Sequence, residues 1–376
     1  MDAEIIKTFN KRGCIMPKAL ININNNSIVS SQHLNEEHIE NLIRFSDRKE
    51  QLEENTLKSL HFHVSKFNDY CATRNVIPLP LQDATVLESF LIKENERGCK
   101  AQTLRIYAWA VSKIHSLAGL EIPYFKTVIT ARLKIISKQE VKLGVKRKQA
   151  VAFSYDHLKF VNDKLDINSL LSIRNALLLN ICYDGLLRES EACNLFIDQI
   201  QKVNGLYNIN ITNSKTDKSL DGSIVHLSKF TSKLLPLYLQ KVVAHRGQFL
   251  FKRITPRGGK LEKLKLSDIS PNPYDKPIST KTVELVFSNT WHSITEYNQS
   301  VSFEYYIDLP ERPFSGHSAR VGASCDLVSA GFDDSLVMRA GRWKTLRMVE
   351  LYTRGVNNKF ATVREFRERL ETIADS

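Results

Sequence analysis

No run of about 18 apolar residues occurs along the chain, so no segment reads as a helix able to cross a bilayer. The opening residues, MDAEIIKTFNKRG, hold no apolar core followed by a cleavage site, and the expectation is a cytoplasmic protein with no membrane partner. Cysteine is sparse, six in 376 residues, and no two form a CxxC pair. Cys14, Cys71, Cys99, Cys182, Cys193 and Cys325 sit mostly within apolar stretches and read as reduced, largely buried small side chains. Metal ligands are equally poorly grouped. His61-x-His63 points two ways on a helix, and no carboxylate cluster accompanies it, so neither a metal nor another cofactor is expected.

What is present is ordinary soluble composition, 42% hydrophobic and 25% charged, in a chain long enough for two domains. Its 53 Lys and Arg outnumber 41 Asp and Glu, for a formal charge of +12. That balance favours a polyanionic partner, although ribosome-associated and membrane-surface proteins share it.

Residues 1–34, with INNNSIVSSQ, lack a sustained apolar period and read as a mobile tail. From 35 to 140 the pattern is helical. Leu57, Leu60, Val64, Phe67 and Cys71 recur at helical spacing, as do Leu104, Tyr107, Val111, Ile114 and Leu117. Breaks fall at Pro78 and Pro80, at Gly98, and at Gly119 with Pro123, which divides the region into four or five helices. Between Arg132 and Lys148, RLKIISKQEVKLGVKRK carries seven basic residues and one acid. A solvated helix end fits that run, and so does a linker crossing a phosphate backbone, which we place at 141–150 with Lys146, Arg147 and Lys148 at its centre.

A second domain, 151–358, opens with more helices. Alternation then marks strands at Leu206–Thr212 and Ser223–Ser228, joined by a polar turn that holds Lys215. After a Pro-, Gly- and Lys-rich loop from Lys252 to Lys276, helical periodicity returns. The fold class expected is mainly α, with a small β-sheet in the second domain.

The chemistry concentrates in two places. Arg188 and Glu191, in GLLRESEA, are three residues apart on one helical face, and so are His317 and Arg320 in GHSAR. Taken singly, Arg188 with Glu191 reads as a core salt bridge and His317 as a hydrogen-bonded residue at a helix start. Together with Lys215 and the indole of Trp343 they form a set of donors suited to an anion with several oxygens, as in a phosphorane transition state. Tyr352, nine residues after Trp343, offers a nucleophile whose phenol, with a pKa near 10, ionises more readily than serine.

Arg188, Glu191, Lys215, His317, Arg320, Trp343 and Tyr352 stand in the order of the tyrosine recombinase (phage integrase) family, which the chain resembles from roughly Asn55 onward, most strongly over Gly316–Tyr352. A histidine common in the family near the end is tryptophan here, as in one branch of it. The resemblance implies a C-shaped clamp around double-stranded DNA, with a helical core-binding domain on one face and the catalytic domain on the other. It implies attack by Tyr352 to give a 3′-phosphotyrosine without metal or ATP. Arg188 and Arg320 would hold the non-bridging oxygens, His317 and Trp343 would add hydrogen bonds, Lys215 would protonate the leaving 5′ oxygen, and Glu191 would orient its neighbours.

The same resemblance implies paired inverted-repeat sites and a homotetramer on DNA, monomeric when free, in a bacterial, plasmid or phage setting. An apolar stripe of Phe360, Val363, Phe366 and Leu370 in the terminal segment 359–376 would then dock on a neighbouring protomer. Candidate DNA contacts are Lys58, Lys66, Gln102, Thr103, Arg105, Lys252, Arg253, Lys281 and Glu284, each also compatible with plain solvated surface. A unidirectional integrase, a type IB topoisomerase-like strand transferase and a catalytically silent DNA-binding protein are the alternatives. The last predicts loss of one of the seven groups, and all seven are present.

Overall fold

The computed structural model describes residues 34–47, 53–145, 149–211, 222–242, 248–255, 260 and 277–357, in two compact units, Met1–Arg147 and Lys148–Ser376. The expected tail, apart from Leu34, and the terminal segment 359–376 lie outside the described residues, as do Lys215, Lys146, Arg147 and Lys148. Leu34, assigned to the tail, is buried in a cluster with Leu42, Leu60 and Val64. No helix among the described residues is long and apolar enough to cross a membrane.

The first unit contains α1 (Glu36–Asp47), α2 (Glu54–Ala72), α3 (Thr85–Glu96), α4 (Ala101–Leu117) and α5 (Phe125–Lys142). The spacing of apolar residues decides which faces meet. Helix α2 buries Leu60, Val64, Phe67 and Cys71, while α4 buries Leu104, Tyr107, Val111 and Ile114. Phe90 of α3 lies between them, its ring edge-on to Phe67 at 5.4 Å and to Tyr107 at 5.1 Å. His115 is also buried here. Its Nδ1 donates to the Val111 carbonyl at 2.9 Å and its Nε2 accepts from the Leu81 amide at 3.0 Å, so one neutral tautomer satisfies both partners. Helix α5 continues to Lys142, so most of the basic run is helical, and Arg132 is paired with Glu88 at 2.7 Å.

The second unit is built around α7 (Leu170–Asp184), which follows α6 (Tyr155–Asp163). Nine consecutive or near-consecutive positions of α7 are buried, Ile173 to Cys182, because the helix is apolar on nearly every side. A short α8 (Glu189–Cys193) leads to an antiparallel sheet ordered β1 (Ile200–Val203), β2 (Leu206–Ile211), β3 (Ser223–His226). Strand β1 is an addition to the two expected strands. Its side chains are mostly exposed, so no apolar alternation marks it. The available signal was Asn204-Gly205, whose φ values of 49° and 80° match the tight turn that joins β1 to β2.

The helices α9 (Lys229–Val242), α10 (Thr280–Ser300), α11 (Ser318–Ser329), α12 (Asp334–Ala340) and α13 (Leu346–Asn357) complete this unit. Helix α11 packs on α7 and α13. Its Gly322 faces the Phe153 backbone so closely that a Cβ would lie 1.8 Å from the Phe153 carbonyl oxygen. That approach seats the N-terminal end of α11, which carries two of the expected site residues.

Candidate active site

Helix α7 ends at Asp184, and the chain turns through Gly185 and Leu186, whose φ is 45°, before α8 begins. The turn delivers Arg188 to the N-cap of α8. Its amide donates to Glu191 Oε2 at 3.0 Å, and its Nη1 donates to Glu191 Oε1 at 2.5 Å. Glu191 is 5% exposed, so the pair is a buried one that would cost about 3–5 kcal/mol to break from one side.

His317 occupies the N-cap of α11 rather than its first turn, and Arg320 lies one turn further, 1% exposed. The terminal nitrogens of Arg320 donate to the carbonyls of Leu186 and Gly341, which fixes the guanidinium plane. Nε finds no partner among the described residues, and one hydrogen on each terminal nitrogen is not used by these bonds. Trp343 follows the turn after α12 and covers this group, with Arg320 Cζ 4.5 Å from its ring centroid. On α13, Tyr352 stacks on the same indole, centroids 5.0 Å apart and planes at 28°. Arg320, Trp343 and Tyr352 therefore form one column. The Tyr352 carbonyl accepts from Gln149 Nε2 at 3.3 Å, holding this part of α13 to the start of the unit.

Burial pushes the pKa of His317 below its ordinary value, and the nearby Arg320 and Arg188 push it in the same direction. The imidazole is neutral at neutral pH and can share a hydrogen bond without adding charge. Arg320 is also lowered, by burial first and then by Arg188 and Arg342. The guanidiniums of Arg188, Arg320 and Arg342 gather round the Glu191 carboxylate, an excess of positive charge within this group. Six of the seven residues expected from sequence thus come together; Lys215 lies outside the described residues.

The expected DNA contacts are dispersed. In the first unit, Lys58 and Lys66 are exposed on α2, with Lys66 6.0 Å from the Phe62 ring centroid. Gln102 and Arg105 are exposed and Thr103 half-buried in the first turns of α4, and Arg105 Nη2 donates to Ser137 at 2.6 Å. Arg105, Lys134, Lys138 and Lys142 line a groove of about 820 Å³ between α4 and α5. In the second unit, Lys281 and Glu284 are exposed on α10, opposite buried Val283 and Phe287. Arg253 is half-buried, and its Nε donates to the Pro277 carbonyl at 3.3 Å. Lys252 corrects the sequence reading. It is 0% exposed, drawn inside by a bridge to Pro277 and a bond from its amide to Tyr238, so its ammonium is not on the surface.

Residues 155–359 match the model of the phage integrase family. The chain belongs to that family. It is a site-specific recombinase of the tyrosine class, with a mainly helical fold and a small antiparallel sheet. The chain is 26% identical to "Recombinase cre" of Escherichia phage P1 over 84% of its own length and 88% of that protein. It is 24% identical to "Integrase/recombinase xerD homolog" of Selenomonas ruminantium over 80% of its own length and 81% of that protein. Among solved structures, the XerH site-specific recombinase bound to palindromic difH substrate matches with a TM-score of 0.56 at 17% identity, covering 93% of each chain. The Tn1549 transposon integrase in complex with transposon right end DNA matches with a TM-score of 0.56 at 13% identity, covering 90% of this chain and 99% of that one. These two structures share the fold with this chain.

Proposed function

We propose that the chain cuts and rejoins double-stranded DNA through a covalent bond between the Tyr352 phenolic oxygen and a 3′ phosphate. The bond to phosphorus forms as the phenol loses its proton to water and the bond to the 5′ oxygen breaks, and the reverse attack by a 5′ hydroxyl of a partner strand completes exchange with no net loss of phosphodiester bonds. Arg188 and Arg320 meet the non-bridging oxygens where charge builds, with His317 and Trp343 as further hydrogen-bonding groups. Glu191 orients Arg188, and Lys215 supplies the proton that the departing 5′ oxygen takes up. The observation that carries this reading is the column of Arg320, Trp343 and Tyr352 beside the Arg188–Glu191 pair.

On the same reading, the basic groove between α4 and α5 and the exposed Lys281 and Glu284 lie against DNA, and the 141–150 segment links the two DNA-binding domains. The family likeness supports paired inverted-repeat sites and assembly as a tetramer, with segment 359–376 docked on a neighbour. The test uses a duplex that the protein itself selects from a random pool, nicked near the cleavage point so that the cut fragment diffuses away. Tyr352→Phe keeps the ring on the indole, so it should bind this duplex as the parent does and form no covalent adduct. An adduct in that variant would refute the assignment.

A further inference from the structure

Arg342 stands between Gly341 and Trp343, and the donor set identified from sequence does not include it. Its φ is 53°, a backbone region that favours glycine, yet its side chain is only 10% exposed. Nη2 donates to Glu191 Oε2 at 2.9 Å and to the Leu186 carbonyl at 3.3 Å, while Nη1 donates to the Gly185 carbonyl at 2.9 Å. Two of these acceptors are shared with the proposed machinery. Glu191 uses Oε1 for the Arg188 guanidinium, and the Leu186 carbonyl also accepts from Arg320.

We infer that Arg342 is a positioning residue for strand cleavage, fixing Arg188 through Glu191 and Arg320 through the Leu186 carbonyl. It ties the turn between α7 and α8 to the segment that carries Trp343, so both guanidiniums keep their places relative to the indole and Tyr352. A side chain held in glycine-like backbone while making these bonds is placed by the bonds themselves, since the local backbone gains nothing from it.

Charge supports the geometry. Burial alone raises the pKa of Glu191, but Arg342 and then Arg188 outweigh it and hold the carboxyl below its ordinary value. The other groups that sense Glu191 are Arg320 and His317 at the start of α11 and Cys182 of α7. From α10, Glu284 faces Glu189 instead. A carboxyl with a depressed pKa remains an anion until the pH falls through that value, and its support of Arg188 is then lost. Removing Arg342 takes away one of the two cations that hold the carboxyl down, so that loss moves to higher pH.

This inference rests on the proposed role of Tyr352, and the experiment separates the two. Single-turnover adduct formation on the nicked duplex is measured against pH for the parent, Arg342→Gly and Arg342→Lys, together with duplex affinity and melting temperature. Glycine suits the positive φ, so the Arg342→Gly fold has no backbone penalty. Its rate should fall about 10²-fold with affinity unchanged, and the acid limb of its pH profile should move upward. Arg342→Lys should restore part of both. An unchanged rate and acid limb would overturn the role, and so would a loss that follows melting temperature while the acid limb stays in place. If the parent itself forms no adduct at Tyr352, the Tyr352 reading fails; an adduct with an indifferent Arg342→Gly sinks only the Arg342 inference.

Discussion

Buried polar side chains in this protein differ in how their hydrogen-bonding groups are used, and His115 and Arg320 stand at opposite ends of that range. His115 has both ring nitrogens used, and burial lowers its pKa. Above its ordinary value near 6.5 both folded and unfolded states are neutral and it contributes no pH dependence. As pH falls below that value the unfolded chain takes a proton that the folded ring refuses, so stability falls by up to about 1.4 kcal/mol per pH unit. In denaturant melts between pH 7 and pH 5 the parent should lose stability toward acid more steeply than His115→Gln. Equal slopes would contradict the neutral, doubly bonded ring. Arg320 is buried as well, yet its Nε is unpaired among the described residues. Its place in the cluster was legible in the sequence because HxxR spacing and donor chemistry both mark it. Arg342 was not, because nothing in AGRW shows that the backbone takes a glycine-like turn and aims a guanidinium at Glu191. Lys252 misled for the opposite reason: a basic residue beside a Lys-rich loop reads as surface until the bridge to Pro277 turns it inward.

At the scale of elements, periodicity identified the helices that bury one face, and α2 and α4 bury the residues that their spacing selects except Leu57 and Leu117, which are half-buried near the helix ends. Weak patterns hid the rest. Strand β1 has an exposed face and a length of four residues, leaving its Asn-Gly turn as the one readable sign. His317 stands at the start of α11 as its N-cap, one residue before the helix proper. That helix is seated by Gly322 against the Phe153 carbonyl, and Phe153 in turn donates its amide to Ser318 at 3.0 Å. Gly322→Ala must push α11 away from Phe153, with a cost of about 1–3 kcal/mol. The catalytic unit should then melt lower by roughly 2–4 °C for each kcal/mol, measured by thermal unfolding. An unchanged melting temperature would mean that the close approach is not maintained in solution.

Across the whole molecule, a formal charge of +12 and a buried cluster of arginines serve different ends. On the proposed reading the distributed charge would draw the chain to any duplex, less strongly as salt rises. In the proposed mechanism chemistry depends on the few groups that converge at the Trp343 column, and the central claim is that the bond to DNA forms at Tyr352. The most direct measurement is to trap the parent protein on a duplex whose cleavage-site phosphate is isotopically labelled, digest the adduct with protease, and sequence the labelled peptide. The label should reside on Tyr352, within the peptide from α13, linked to a DNA 3′ end. A label on any other residue, or a 5′ linkage, would contradict the mechanism.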